Sequence, residues 1–381
     1  MKFVPTSELK IGMRLAKPIY NKKGVMLYER DSKLSAQGIT SIENFGLIGI
    51  YILEPAEPLP PMTEADREFE RFQTVAVFTL KEILEQIVAG NHPVRLDSLV
   101  AEIIKNYGRS NGKLSFVQNL RSGEDNVFKH SLNVAIIAAA ITGKMTLSSS
   151  EQRDIVTAAL LHDIGSLDVP AEVLMKSTSD ITDEEKQLMI KCRDDGYKML
   201  RENGDLDSGI MKDISYLLRD VKDIELGTVE TDKRPVDLTV EVLKVAYYYD
   251  VLTAMKVGEA PHSDIAAYKK LNNSELGISK HVVFALAQAI NIAPPGCTVE
   301  FEDGTKGIVL TENPDDVLRP FVLSFKDNKM YNLADSSVYE KYKIKDVLKT
   351  LDNRYVMTDS YQDYLGRLEN GQEKQLFVGK K

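Results

Sequence analysis

Cysteine is scarce in this chain: Cys192 and Cys297 are the two present in 381 residues. A protein of this length without a disulfide framework is expected in a reducing compartment. Long apolar runs are missing as well. No stretch approaches the roughly 18 consecutive apolar residues of a membrane-crossing helix, and Met1-Lys2-Phe3-Val4-Pro5 opens no signal peptide. The expectation is a cytoplasmic protein with no membrane span. A surplus of positive charge is also lacking. The net charge of -9 argues against a DNA-binding surface, while leaving room for a local basic pocket holding a small nucleotide. Gly-rich phosphate loops, Cys-x-x-Cys pairs, serine-nucleophile elbows, long heptad runs and internal repeats are absent too. The common nucleotide-hydrolase, redox and serine-hydrolase signatures are thereby excluded.

What is present is the composition of a globular protein, long enough for two or three domains. Residues 1–57 read as a small β-rich module. Arg14-Leu15-Ala16-Lys17-Pro18-Ile19-Tyr20 and Gly24-Val25-Met26-Leu27-Tyr28 flank the turn Asn21-Lys22-Lys23 as a hairpin, and a short helix near 35–46 leads into the strand Ile48-Gly49-Ile50-Tyr51-Ile52. Residues 58–112 hold the end of a Pro-rich linker and two helices. The first is opened by Thr63 and Asp66, with Phe69, Phe72, Val75, Phe78, Leu80 and Ile83 at helical spacing; the second covers about 96–107. Residues 113–292 are helical. Residues 293–346 form a second β-rich module, with a hairpin at Glu302-Asp303-Gly304 and a strand at Phe321-Val322-Leu323-Ser324-Phe325, and 347–381 are a tail.

Within the helical region, Leu160-Leu161-His162-Asp163-Ile164-Gly165 closes an apolar run with a charged pair. Asp163 falls near a helix C-terminus, where the macrodipole disfavours a carboxylate. A bound cation would cancel that cost, because imidazole and carboxylate are both ligands for divalent metals.

The words Lys129-His130-Ser131-Leu132-Asn133-Val134-Ala135 and Ala158-Ala159-Leu160-Leu161-His162-Asp163-Ile164-Gly165 are followed by Val169-Pro170, Thr182-Asp183-Glu184-Glu185 and Tyr249-Asp250-Val251-Leu252-Thr253-Ala254. Together, and in this order, they resemble the HD phosphohydrolase superfamily, and more narrowly its HD-GYP branch, the cyclic di-GMP phosphodiesterases. The resemblance implies a mainly α fold: an HD-domain helical core of five to seven helices with small β-rich modules on its N- and C-terminal sides. It implies metal ligation by His130, His162 and Asp163.

The rest of the expected site is depleted. Asn126 stands one turn before His130, where the family often has a glutamate; Ser166 replaces a phosphate-contacting lysine; Cys192 replaces a histidine; Tyr247 replaces a coordinating aspartate. Asp250 matches a second aspartate whose role in the family is more often structural. No histidine lies between Gly165 and Pro261, so the family's His-His-Glu cluster has no counterpart, and its Gly-Tyr-Pro word is missing. A bridged metal pair needs about seven or eight ligands; three are in place.

The reading is therefore a catalytically impaired HD-GYP-like signalling protein, a pseudoenzyme that binds a partner protein, and in one version cyclic di-GMP or another nucleotide, without hydrolysing it. The alternative is a divergent metal-dependent phosphodiesterase acting on cyclic di-GMP or another nucleotide, with Asp220, Asp223 or Glu225 supplying a missing ligand. The cofactor expectation is one divalent metal (zinc, iron or manganese) or none, with the Asn126 amide oxygen and the Cys192 thiolate as weaker ligands, the thiolate favouring zinc. A homodimer through residues 63–107 or the helical core is in keeping with the family's habit of pairing. The bulk of Tyr247 leads to the expectation that it fills the pocket.

Overall fold

The computed structural model describes residues 2–21, 23–44, 49–53, 64–116, 118, 121–177, 180–227, 237–254, 261–273 and 278–347. The linker at 54–63 with its expected cap at Thr63, the turn residue Lys22 and the tail from 348 lie outside them. The chain forms two compact units, residues 1–261 with 274–289 and residues 262–273 with those from 290 onward.

The first unit begins with β1 (Lys2–Pro5), β2 (Arg14–Leu15), β3 (Ile19–Tyr20), β4 (Met26–Tyr28), α1 (Ala36–Asn44) and β5 (Gly49–Leu53). Leu15, Ile19, Leu34, Ile42, Ile50 and Ile52 form its core. The expected hairpin exists only in part. Pro18 has no N–H to give to a ladder, and the segment from Arg14 to Tyr20 divides around it. Arg14 and Leu15 pair with Leu53 and Ile52 of β5, whereas Ile19 and Tyr20 pair with β4. At the hairpin turn Gly24 has φ +72°, and a β-carbon there would meet Val75 Cγ2 at 2.7 Å. Lys17 adds an ion pair to Glu70 at 3.0 Å. Both Val75 and Glu70 belong to α2 (Glu64–Val88), whose buried Phe69, Ala76, Leu80, Ile83 and Ile87 recur at helical spacing. α3 (Leu96–Ile103) follows and ends in a π turn over Ile104–Gly108.

The centre of this unit is α4 (Asn126–Thr142), whose residues are all buried except Lys129. Such a helix needs partners all round, and it has them in α2, α5 (Ser149–Leu161), α9 (Leu238–Thr253) and α11 (Lys280–Ala289). Ser148 and Glu151 cap α5 reciprocally, and α5 ends at His162. A 3-10 turn over Ile164–Asp168 leads to α6 (Ala171–Leu174), α7 (Asp183–Asn203), capped by Thr182 and Glu185, and α8 (Ser208–Glu225). The protein is mainly α, with a helical core and small β-rich parts at either end of the described chain.

The second unit contains α10 (Asp264–Asn272), β6 (Thr298–Phe301), β7 (Lys306–Thr311), β8 (Phe321–Ser324), β9 (Lys329–Asn332), α12 (Ser336–Tyr339) and β10 (Ile344–Val347). The antiparallel sheet runs β10-β6-β7-β8-β9. Its expected β6–β7 hairpin turns at Gly304, φ +79°, while β9 and β10 go beyond the expected strands. The sequence boundary at 293 leaves α10 with the helical region. In the structure α10 packs on β10, where Lys269 Nζ donates to the Ile344 carbonyl at 2.6 Å and Ser263 Oγ to Asp346.

Candidate functional site

Three helices bring the expected residues together. α4 carries His130, the end of α5 carries His162 and Asp163, and α9 carries Tyr247 and Asp250. All five are buried. His130 Nδ1 lies 2.6 Å from Asp250 Oδ2, and His130 Nε2 lies 3.2 Å from His162 Nε2. On its other side His162 Nδ1 donates to the Ala159 carbonyl at 2.8 Å. Burial, then the neighbouring His130, push the His162 pKa down to about 4 against the opposing pull of Asp163. The ring is therefore neutral near pH 7, with its lone pair on Nε2 turned to His130.

Asp250 is the hub that orients His130. Arg121 Nη2 donates to its two oxygens at 2.5 and 2.6 Å, Gln118 Nε2 to Oδ1 at 2.9 Å and Asn133 Nδ2 to Oδ1 at 3.1 Å. Burial alone would raise this carboxyl's pKa; Arg121 and the bond to His130 outweigh it and hold Asp250 far below the usual carboxylate range. Gln73 of α2 reaches the same network, its Nε2 donating to Asn133 Oδ1 at 3.4 Å.

Asp163 faces the other way. Ser166 Oγ donates to its Oδ1, and Arg193 Nε lies 3.7 Å from that oxygen. Arg193 Nη1 also donates to Glu225 Oε1 and Oε2 at 2.7 Å each. Burial opposes the Arg193 charge, but Tyr247, Glu225 and Asp163 more than restore it, so its pKa is raised.

The remaining expected residues fall as follows. Tyr247 packs edge-on against both imidazoles, with ring centroids 4.9 Å from His130 and 5.6 Å from His162. Asn126 is buried, and its Oδ1 has no protein partner. Cys192, read as a weaker ligand, instead sits among Val127, Val169, Val173, Leu174 and Met189; burial, then Asp168, raise its thiol pKa. In these surroundings the thiol packs as a small apolar group. Of the stand-in carboxylates, Glu225 is held by Arg193, and Asp220 by Lys244 at 2.7 Å.

Among the described residues no three of His, Cys, Asp and Glu stand together as a metal site. Two imidazole nitrogens converge, both carboxylates are paired with guanidiniums, and a tyrosine ring packs against the imidazole pair. These residues do not fit a bridged metal pair.

Residues 127–255 match the family model for the HD domain. The chain is also 22% identical over 365 residues to the cyclic di-GMP phosphodiesterase PA4108 of Pseudomonas aeruginosa, with 85% of each chain covered. The helical region thus resembles an HD domain. Among solved structures, Bd1817, an HDG"Y"P protein from Bdellovibrio bacteriovorus, aligns with a TM-score of 0.46 and 12% identity over 75% of this chain and 97% of that one. Among the described residues no helix is long and apolar enough to cross a membrane.

Sequence reasoning missed four groups of this site: Arg121, Gln118, Asn133 and Arg193. The first three act on Asp250 from 129, 132 and 117 positions away, and such pairings leave no local pattern. Arg193 did leave a signal. It adjoins Cys192, the expected ligand position, and lies three residues before Gly196 on the same helix face.

Proposed function

We propose that this protein is a cyclic di-GMP signalling protein of the HD-GYP type whose own site does not hydrolyse a phosphodiester. It acts by binding a signalling partner protein, with cyclic di-GMP as a ligand that is held intact. The observation that carries the reading is Tyr247: its buried ring lies edge-on against both His130 and His162. Hydrolysis through a metal-generated hydroxide needs an open coordination position and room for the attacking oxygen, and a phenol ring in van der Waals contact with both imidazoles supplies neither.

The alternative, a divergent metal-dependent phosphodiesterase, is favoured by one distance. The two Nε2 atoms are 3.2 Å apart, about the spacing of two imidazoles on one tetrahedral ion. Incubation with cyclic di-GMP and Mn(II) or Fe(II), followed by chromatography of the nucleotides, separates the readings. The proposal expects no linear product. Turnover by the wild-type protein that disappears in His162→Ala would overturn it.

A further inference from the structure

Two carboxylates of this pocket converge on one guanidinium. Arg193 is buried, grips Glu225 through both of that residue's oxygens at 2.7 Å, and stands 3.7 Å from Asp163. Its position is enforced by the backbone. A β-carbon on Gly165 would lie 2.2 Å from the Cys192 carbonyl oxygen, and one on Gly196 would lie 2.4 Å from the Gly165 α-carbon. Only a pair of glycines lets α7 come this close to the turn after His162-Asp163, and Arg193 lies between the two contact points on that helix. Ser166, from the same turn, donates to the Asp163 oxygen that faces Arg193. The carboxylate of the His-Asp pair is thus satisfied from within the chain.

We propose that Arg193 is the resident cation of the site: its guanidinium neutralises Asp163 and Glu225 where a divalent metal would otherwise do so, and keeps His130 and His162 from being completed as a metal's donor set. The physics is exclusion by charge. A divalent ion placed on the two imidazoles and Asp163 would sit within a few ångströms of a buried positive group, and like charges in a dry interior repel strongly. A guanidinium cannot relieve that repulsion by losing its proton. Without it, Asp163 is free to turn toward His130 and His162, with Asn126 Oδ1 one turn from His130 as a neutral donor. This inference deepens the reading above. Its failure is distinguishable, because turnover by the wild-type protein ends that reading, whereas the test here is metal-dependent stability.

The test is thermal unfolding of the chelator-stripped, full-length protein with and without Mn(II). Wild type should unfold at the same temperature in both. Arg193→Met, which keeps the stem and removes the charge, should unfold earlier and regain about 3 °C or more with Mn(II). That gain should vanish in Arg193→Met/His162→Ala, and Arg193→Lys, which keeps a charge, should not respond. A wild-type response as large as that of Arg193→Met would overturn the proposal. So would an Arg193→Met midpoint that Mn(II) leaves unmoved, or an Arg193→Lys response equal to it. If Arg193→Met does not fold on expression, refolding from denaturant decides: recovery only with Mn(II) supports the proposal, and no recovery with it overturns it.

Discussion

Asp250 and Arg121 form an ion pair that solvent does not reach, with side-chain exposures of 0% and 2% and one guanidinium nitrogen 2.5 Å from a carboxylate oxygen. Removing one partner of such a pair strands the other charge and costs about 3–5 kcal/mol. Asp250→Asn should lose that much in urea unfolding, since its new amide would also face the donors of Gln118 and Asn133. Arg121→Met/Asp250→Asn leaves no stranded charge and should lose less than the single change. An equal or larger loss in the double variant would contradict the pairing as the main term.

Tyr247 makes a prediction about access. Tyr247→Ala removes a buried ring, for which about 3–5 kcal/mol is the usual cost. It should also uncover His130 and His162, which the wild-type ring covers. Modification by diethyl pyrocarbonate, mapped by mass spectrometry, should therefore spare both histidines in the wild type and reach them in the variant. Protection that persists in Tyr247→Ala would mean that other groups seal the pocket.

The buried His162 predicts a pH dependence with a definite sign. Its folded pKa, about 4, lies below the roughly 6.5 of a free histidine, so the unfolded chain binds the extra proton between these values. Stability from this group is complete above about pH 6.5 and falls away as pH drops toward 4, by up to about 3 kcal/mol. The loss between pH 7 and pH 4.5 should be smaller in His162→Gln than in wild type. Identical slopes would show that His162 is not what titrates.

Asp213 works against it in the same window. Burial raises this carboxyl to about 6 despite the hydrogen bond from Thr239. Here the folded state holds the proton longer than the unfolded state, so the stability associated with it is present at low pH and lost as pH rises through 6. Asp213→Asn should therefore stabilise the protein at pH 7, with a gain that shrinks toward pH 4. Urea midpoints at those two pH values check it. A gain independent of pH would point to packing instead.

These sites show how far the sequence could be read. His130, His162 and the segments that carry them were legible because ligand words and helix caps are local: four to eight adjacent residues state them. The bulk of Tyr247 at a carboxylate position was legible for the same reason, as a misfit within a short word. The demand for a cation beside Asp163 could also be read, from the helix end on which it sits. Who answers the demand could not. Arg193 reaches Asp163 across 30 positions because two glycines on different elements touch, and such a contact has no signature in either segment alone. The Arg14 to Tyr20 stretch failed differently: Pro18 was visible, but the partner that took the first half of the strand, β5, lies more than thirty residues on.

The amide of Gln73 gives the long N-terminal helix a stake in the histidine pair. α2 is fastened to the N-terminal module by Lys17 and by the seat of Gly24 on Val75, and it ends its own polar reach on Asn133. A twist of that helix by one residue, about 100°, would carry Gln73 off Asn133 and leave a buried carbonyl bare. Asn133 would then have to choose between turning and staying on Asp250, and His130 takes its aim from Asp250. The helix seated on the N-terminal module thus shares, through Gln73 and Asn133, the carboxylate that orients an imidazole of the site.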